Sequence, residues 1–320
     1  MVLTRSLRQR ALAGVLALSA LLAGGWSRAQ DCPPPLTPPS AEQIADLTRQ
    51  ASPDRGFLWS LERDGRTSHL YGTLHLGKLA WTVPGPKLSR ALRASKVLAL
   101  ELDISDPQVV QSLLAQIRET GASPLPERLQ QRLRAAAAAE CVPWDQVADQ
   151  RPEFQLTAVT LALARREGLE AAYGSEVALT GIAPHLGLRT RSLETADEQI
   201  AALSASTPDE QVKLIEAGLE DLASVKARRV VRQLADSWAD SDLQRLESYA
   251  DWCDCLDTPA ERALAERVVD QRNRVLAERI DALHAREGRS FAAVGALHMI
   301  GPNGLPALLK ARGFTVKRVF

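Results

Sequence analysis

Strand-like runs stand at both ends of this chain, and a long helical stretch stands between them. Any sheet must therefore be assembled from segments far apart in sequence. Phe57 to Arg63 and Ser68 to His75 read as two strands around Asp64-Gly65-Arg66, a hairpin turn signal. Lys96 to Asp103 reads as a buried strand, apolar until its C-terminal end. From Pro107 to about Ala183, and again from Ala196 to Glu287, the pattern is helical, with a short strand at Leu188–Leu193 between. The last helix, Pro259 to Glu287, is long, charged and amphipathic. Ser290–Leu297 and Thr315–Phe320 supply two more strands. These runs predict an α/β fold whose central β-sheet is built from N- and C-terminal strands, flanked and capped by helices from the middle of the chain.

The first residues stand apart from that plan. Arg5, Arg8 and Arg10 precede the uncharged stretch Ala11–Gly25, which leads to Ser27-Arg28-Ala29, the layout of a secretory signal peptide. The apolar stretch is shorter than the roughly 20 residues needed to span a bilayer. Cleavage after Ala29 leaves 35 basic against 39 acidic side chains, a net charge of −4. The expected organisation is a signal peptide (1–29), a proline-rich segment (30–56) and one α/β domain (57–320) with a helical insertion at about 107–287. The expected location is periplasmic or secreted, with no membrane span after cleavage. A helix is expected at Ala41–Gln50. Over the whole chain, 39 basic and 39 acidic residues balance and aromatics are only 4%. There is no basic surplus to hold nucleic acid and there are few platforms for stacking bases.

In an oxidising compartment Cys32, Cys141, Cys253 and Cys255 read as disulfide partners. Joining Cys253 directly to Cys255 would close a very tight ring, so each is expected to pair with one of Cys32 and Cys141. A metal on the C-x-C pair lacks a nearby histidine.

One short echo carries the chemistry. Gly72-Thr73-Leu74-His75 closes one strand and Gly295-Ala296-Leu297-His298 closes another, each followed by a glycine, Gly77 or Gly301. A glycine three residues before the histidine permits close approach of another backbone or a bound group. An imidazole at a strand's carboxyl edge stands where α/β sheets place ligand-binding groups. Two on neighbouring strands can converge on one metal.

The chain resembles the TraB/GumN family, related to the Tiki metalloproteases and more distantly to the erythromycin-esterase and haem-binding-like folds. The resemblance is carried by Leu70–Lys78, Val97–Asp103, Tyr173-Gly-Ser-Glu176 with Leu193-Glu-Thr195, and Ala292–Leu305 running into Gly313–Val319. It implies that His75 and His298 are the family's paired histidines, Glu101 its strand-end acid and Glu176 its Gly-Ser-Glu acid. Arg272-Asn273 fall on its polar helix pair. It further implies a divalent-metal hydrolase acting on a peptide or other small envelope substrate.

The residues support that chemistry directly. Two neutral imidazoles and a carboxylate make a three-ligand site with an open position, where manganese, cobalt or zinc would acidify a bound water. Glu101 interrupts a buried apolar run and needs a partner there. Ligand and general-base roles are both open to Glu101 and Glu176. Asp103 reads as a strand-end cap or a supporting group, and Glu194 as a cap of the next helix. Arg272 and Asn273 could stabilise an oxyanion, although a helix carrying Arg262, Arg267, Arg272, Arg274 and Arg279 ordinarily presents these to solvent. His69 reads as packed or surface, and His185 and His284 as cations near helix ends. Neither a G-x-S-x-G elbow nor an H-E-x-x-H helix occurs. A metal-dependent peptidase is the leading expectation. The alternative is a non-catalytic envelope protein using the same cleft for haem, a metal, polysaccharide or a partner.

Overall fold

The computed structural model describes residues 32–118 and 125–320, so the expected signal peptide lies outside the described residues. The chain divides into two compact units, Met1–Pro38 and Pro39–Phe320. The described part of the first unit, 32–38, contains neither helix nor strand.

The second unit opens with a helix at Ala41–Arg49, closed at its start by a Ser40–Gln43 capping box. Strands β1 (Phe57–Arg63) and β2 (Arg66–Thr73) then form the expected hairpin. Its two turn residues, Asp64 and Gly65, both adopt positive φ (52° and 69°), which Asp-Gly accepts at little cost. Helix Pro86–Ala94 leads into β3 (Val97–Leu100), and β4 is Arg189–Ser192. Strands β5 (Ser290–Gly295) and β6 (Thr315–Arg318) end the chain. The sheet order is β4-β3-β5-β2-β1-β6. Neighbours from β4 to β2 are parallel, and β1 runs antiparallel to β2 and β6. The α/β fold built from both ends of the chain is therefore what forms.

Buried strand residues such as Leu58, Leu70, Leu98 and Phe291 share one core with Leu88 and Leu92 of helix Pro86–Ala94 and with Leu276, Ile280 and Leu283 of helix Arg272–Glu287. The helical middle also has a smaller core of its own, Leu125, Leu129, Leu133, Ile215 and Leu219. Among the described residues no helix is long and apolar enough to cross a membrane.

Three expectations are corrected here. The strands stop short of the motif histidines: β2 ends at Thr73 because the Leu74 amide turns to Ser175 Oγ (2.8 Å), and β5 ends at Gly295 as the chain enters a 3₁₀ turn, Ala296–Met299. The long C-terminal helix is not uniform, since a π-helical segment, Glu266–Gln271, separates Pro259–Ala265 from Arg272–Glu287. Cys253 and Cys255 are bonded to each other, and no described cysteine is free. Asp254 between them takes the left-handed conformation (φ 49°), which turns the chain so that the two Cα atoms lie 5.1 Å apart, within ordinary disulfide reach.

Candidate functional site

Parallel strands direct their carboxyl ends to one edge, and here each of the four delivers a polar group just past its last residue. In sheet order these are Glu194 after β4, Glu101 after β3, His298 after β5 and His75 after β2. The register Thr73↔Gly295 makes the two glycine-histidine motifs direct neighbours. A Cβ on Gly72 would come within 3.1 Å of Met299 Cγ and 3.3 Å of Phe57 Cδ2, so the glycine gives these side chains room where the two motifs meet.

His75 stands at the mouth, its side chain 70% exposed, and its Nδ1 lies 2.9 Å from Glu176 Oε1. Thr73 Oγ1 donates to the same oxygen at 2.5 Å. The Gly-Ser-Glu turn is held there by backbone fit: the Ser175 amide donates to Leu74 O (2.9 Å). A Cβ on Gly174 would lie 2.5 Å from His75 O, and one on Gly77 would lie 2.2 Å from Tyr173 O. Neither loop has room for a side chain at these points. We expect Gly77→Ala to cost about 1–3 kcal/mol as the loops are forced apart, measured as a fall in the urea midpoint at unchanged slope.

The floor is buried. Glu101 accepts from the Gly295 amide (2.7 Å), from Gln199 Nε2 (3.1 Å) and from Arg272 Nη2 (2.5 Å). Arg272 also forks onto Glu194, through Nε at 3.0 Å and Nη2 at 2.5 Å. His298, 5% exposed, places Nδ1 2.7 Å from Asn273 Oδ1. Asn273 spends its Nδ2 on Asn303 O (2.9 Å), so its carbonyl oxygen faces the ring. The proton of His298 therefore sits on Nδ1 and the lone pair on Nε2, which Arg272 Nη1 approaches at 3.3 Å.

Charge follows from this packing. The charge of the Glu176 carboxylate and its hydrogen bond raise the pKa of His75 to about 9. Burial alone would raise Glu101, but His298, Arg272, His75 and the Gly295 amide together bring it to about 2. Burial lowers His298 to about 4, with Glu101 opposing. Arg272 stays firmly cationic because its two glutamates outweigh its desolvation.

Arg272 and Asn273 are not on a solvated face. They are the first members of the buried stripe that continues through Leu276, Ala277, Ile280, Leu283 and His284. Glu194 is not the cap of the following helix either, because Thr195 and Glu198 form that capping box; Glu194 pairs with Arg272 instead. His284 is no exposed dipole partner: it is wholly buried, with Nδ1 2.8 Å from Ser68 Oγ, and burial lowers its pKa. Asp103 lies three residues past the end of β3 and closes the turn that follows, accepting from the Ser105 amide at 3.1 Å. Glu194 as an ion-pair partner and Gln199 were missed by sequence reasoning; the acid directly after the Leu188–Leu193 run, matching Glu101 after its own strand, was the available signal.

The donor types suit a divalent ion. Both imidazoles have Nδ1 held by an oxygen acceptor, the arrangement that orients metal-ligating histidines, but the Nε2 of His298 already faces Arg272 Nη1. The third donor is differently committed. Among the described residues no group of three or more His, Cys, Asp or Glu stands in an arrangement that could hold a metal ion. The Arg272 guanidinium takes the cation's part, bridging Glu101 and Glu194 beside His298.

A parallel-edged α/β protein with paired glycine-histidine turns over a buried arginine is the class these features define. A model described as the TraB/PrgY/gumN family matches residues 57–318, and the chain belongs to that family. It is similar to the uncharacterized protein YbaP of Shigella flexneri, 26% identical over 246 residues, covering 77% of this chain and 88% of the relative. It is likewise similar to YbaP of Escherichia coli K12, 25% identical over the same shares. No solved structure matches.

Proposed function

We propose that this chain is an exported hydrolase, acting on a peptide or other small envelope substrate at the carboxyl edge of its sheet. One observation carries the reading: adjacent parallel strands present His75 and His298 together, each oriented through Nδ1, beside the buried carboxylate of Glu101. For His75, His298 and Glu101 to hold a divalent ion, Glu101 must exchange Arg272 for it; the ion would then supply a bound water acidic enough to ionise near neutral pH. Glu176 fixes the ring of His75, and Asn273 fixes that of His298. Arg272 keeps Glu101 ionised and in place, and its charge favours an oxyanion developing nearby. The arginine-rich, then apolar, N-terminal sequence supports export.

The engagement of Glu101 by Arg272 favours a second reading, a non-catalytic envelope protein that binds its ligand in the same cleft. The first test is metal content after incubation with manganese, cobalt or zinc, for the natural chain and a His75→Ala/His298→Ala variant. The hydrolase reading expects about one ion per chain in the first and none in a still-folded second, together with peptide cleavage abolished by chelation. No metal in either chain overturns it, and a Soret band on adding haem would then support the binding reading.

A further inference from the structure

The other end of the same strands carries a second polar feature that the proposed hydrolytic site does not use. A cavity of about 600 Å³ lies between the sheet and helix Pro86–Ala94. Arg66 and Arg289 enter it from the starts of β2 and β5, and Lys87 and Arg90 from one face of the helix. Ala91 and Ala94, on that same face, leave the space open. Among the described residues, no acidic side chain lines it. β2 is eight residues long, so at about 3.3 Å per residue the cavity's entrance stands roughly 25 Å from His75.

Of the four positive charges there, Arg66 alone has a carboxylate among the described residues within 4.0 Å, that of Asp64. The side chains of Arg90 and Arg289 make no hydrogen bond or ion pair with any described residue. Lys87 Nζ and Arg66 Nη1 donate to backbone carbonyls, of Val319 (3.1 Å) and Ala285 (3.3 Å). Of the acids on the adjoining hairpin, Asp64 sits 3.6 Å from Arg63 and 4.0 Å from Arg66, while Glu62 pairs with Lys317. The cavity wall also holds His69, whose Nδ1 is fully buried and has no hydrogen-bond partner. That nitrogen has no surface open to the cavity, so a ligand there would meet the four cations and not the His69 ring nitrogen. The start of the helix itself is already satisfied, since Asp54 accepts from the amides of Lys87 and Leu88; the attraction comes from side chains.

We propose that this cavity binds a phosphate-type oxyanion, either free or as the headgroup of an anionic lipid. Arginine recognises such groups through paired N–H donors and lysine as a point charge. Four cations around one concave space give a local field that the chain's balanced overall charge does not.

The test is calorimetric titration of the purified protein with inorganic phosphate and with tripolyphosphate. A parallel arm measures co-sedimentation with phosphatidylglycerol-containing vesicles against pure phosphatidylcholine vesicles. Saturable binding is expected, weakened at least about tenfold by Arg90→Glu/Arg289→Glu and unchanged by Arg93→Glu, a charge reversal of the same kind at a single exposed position of the helix that does not line the cavity. Binding of the free anions identifies a soluble ligand; binding only to anionic vesicles, lost in the double variant, identifies a headgroup. Should the double reversal alter the circular dichroism spectrum, Arg90→Gln/Arg289→Gln is expected to show the same direction of loss. No saturable binding in either arm, or equal loss with Arg93→Glu, overturns the proposal. The His75→Ala/His298→Ala variant is expected to retain anion binding, so the two sites fail or stand separately.

Discussion

Arg272→Ala is expected to cost about 3–5 kcal/mol of folding stability, because it leaves buried charges unpaired. Glu101 and Glu194 are 8% and 5% exposed, and the same guanidinium contacts both at 2.5 Å. Their backbones are themselves joined, the Glu194 amide donating to Glu101 O at 3.0 Å, so the two carboxylates cannot separate without opening the β3–β4 edge. Removing the arginine leaves two anions in one desolvated place, with Gln199 and the Gly295 amide the remaining donors to Glu101. Arg272→Lys restores the charge but not the fork, and is expected to recover only part of the loss. The triple change Arg272→Met, Glu101→Gln, Glu194→Gln removes all three charges and is expected to be less destabilised than Arg272→Ala alone. Urea unfolding followed by circular dichroism measures all three. A loss under about 1 kcal/mol for Arg272→Ala would place both carboxylates in contact with water, as in an exposed ion pair.

The second large effect is expected at Trp238, which ties the helical middle to the strand leading to His75. Its ring is 2% exposed and packs against Tyr71 and Trp81, with centroids 6.5 and 5.7 Å away. Its Nε1 donates to Gly72 O at 2.9 Å, within the first motif itself, and its carbonyl accepts from the Gly56 amide at 2.8 Å. Trp238→Ala is expected to cost about 3–5 kcal/mol through cavity formation, with Gly72 O also losing its indole partner. Trp238→Phe keeps much of the ring packing and loses the indole donor, and is expected to cost about 1–3 kcal/mol. If the two variants proved equally destabilised, the hydrogen bond rather than the packing would be the dominant tie.

Much of the site was legible in sequence because its signals are local. The two Gly-x-Leu-His motifs lead the chain out of apolar strand runs, and strand propensity is decided within a few residues. The placement of Arg272 and Asn273 was also present in sequence, since they stand four residues before Leu276 and Ala277 at helical spacing. The abundance of arginine along that helix hid it. The neighbouring Glu266–Gln271 segment is π-helical, a local irregularity frequent at functional sites.

The amino-acid sequence by itself determined the pieces: the Ser40 cap, the Asp64-Gly65 turn, the apolar strands and the residue types at their ends. Each depends on steric and hydrogen-bonding preferences that act over one turn or one pleat. Only the tertiary structure decided which pieces meet. Arg272 reaches Glu194 across 78 residues and Glu101 across 171, and no local preference distinguishes these partners from other acids in the chain. The order β4-β3-β5-β2 selects them, because it aligns four strand ends along one edge and removes water from the space between. Once water is excluded, an unpaired charge there is too costly to persist, and the arginine that can reach both carboxylates becomes the cation of the site.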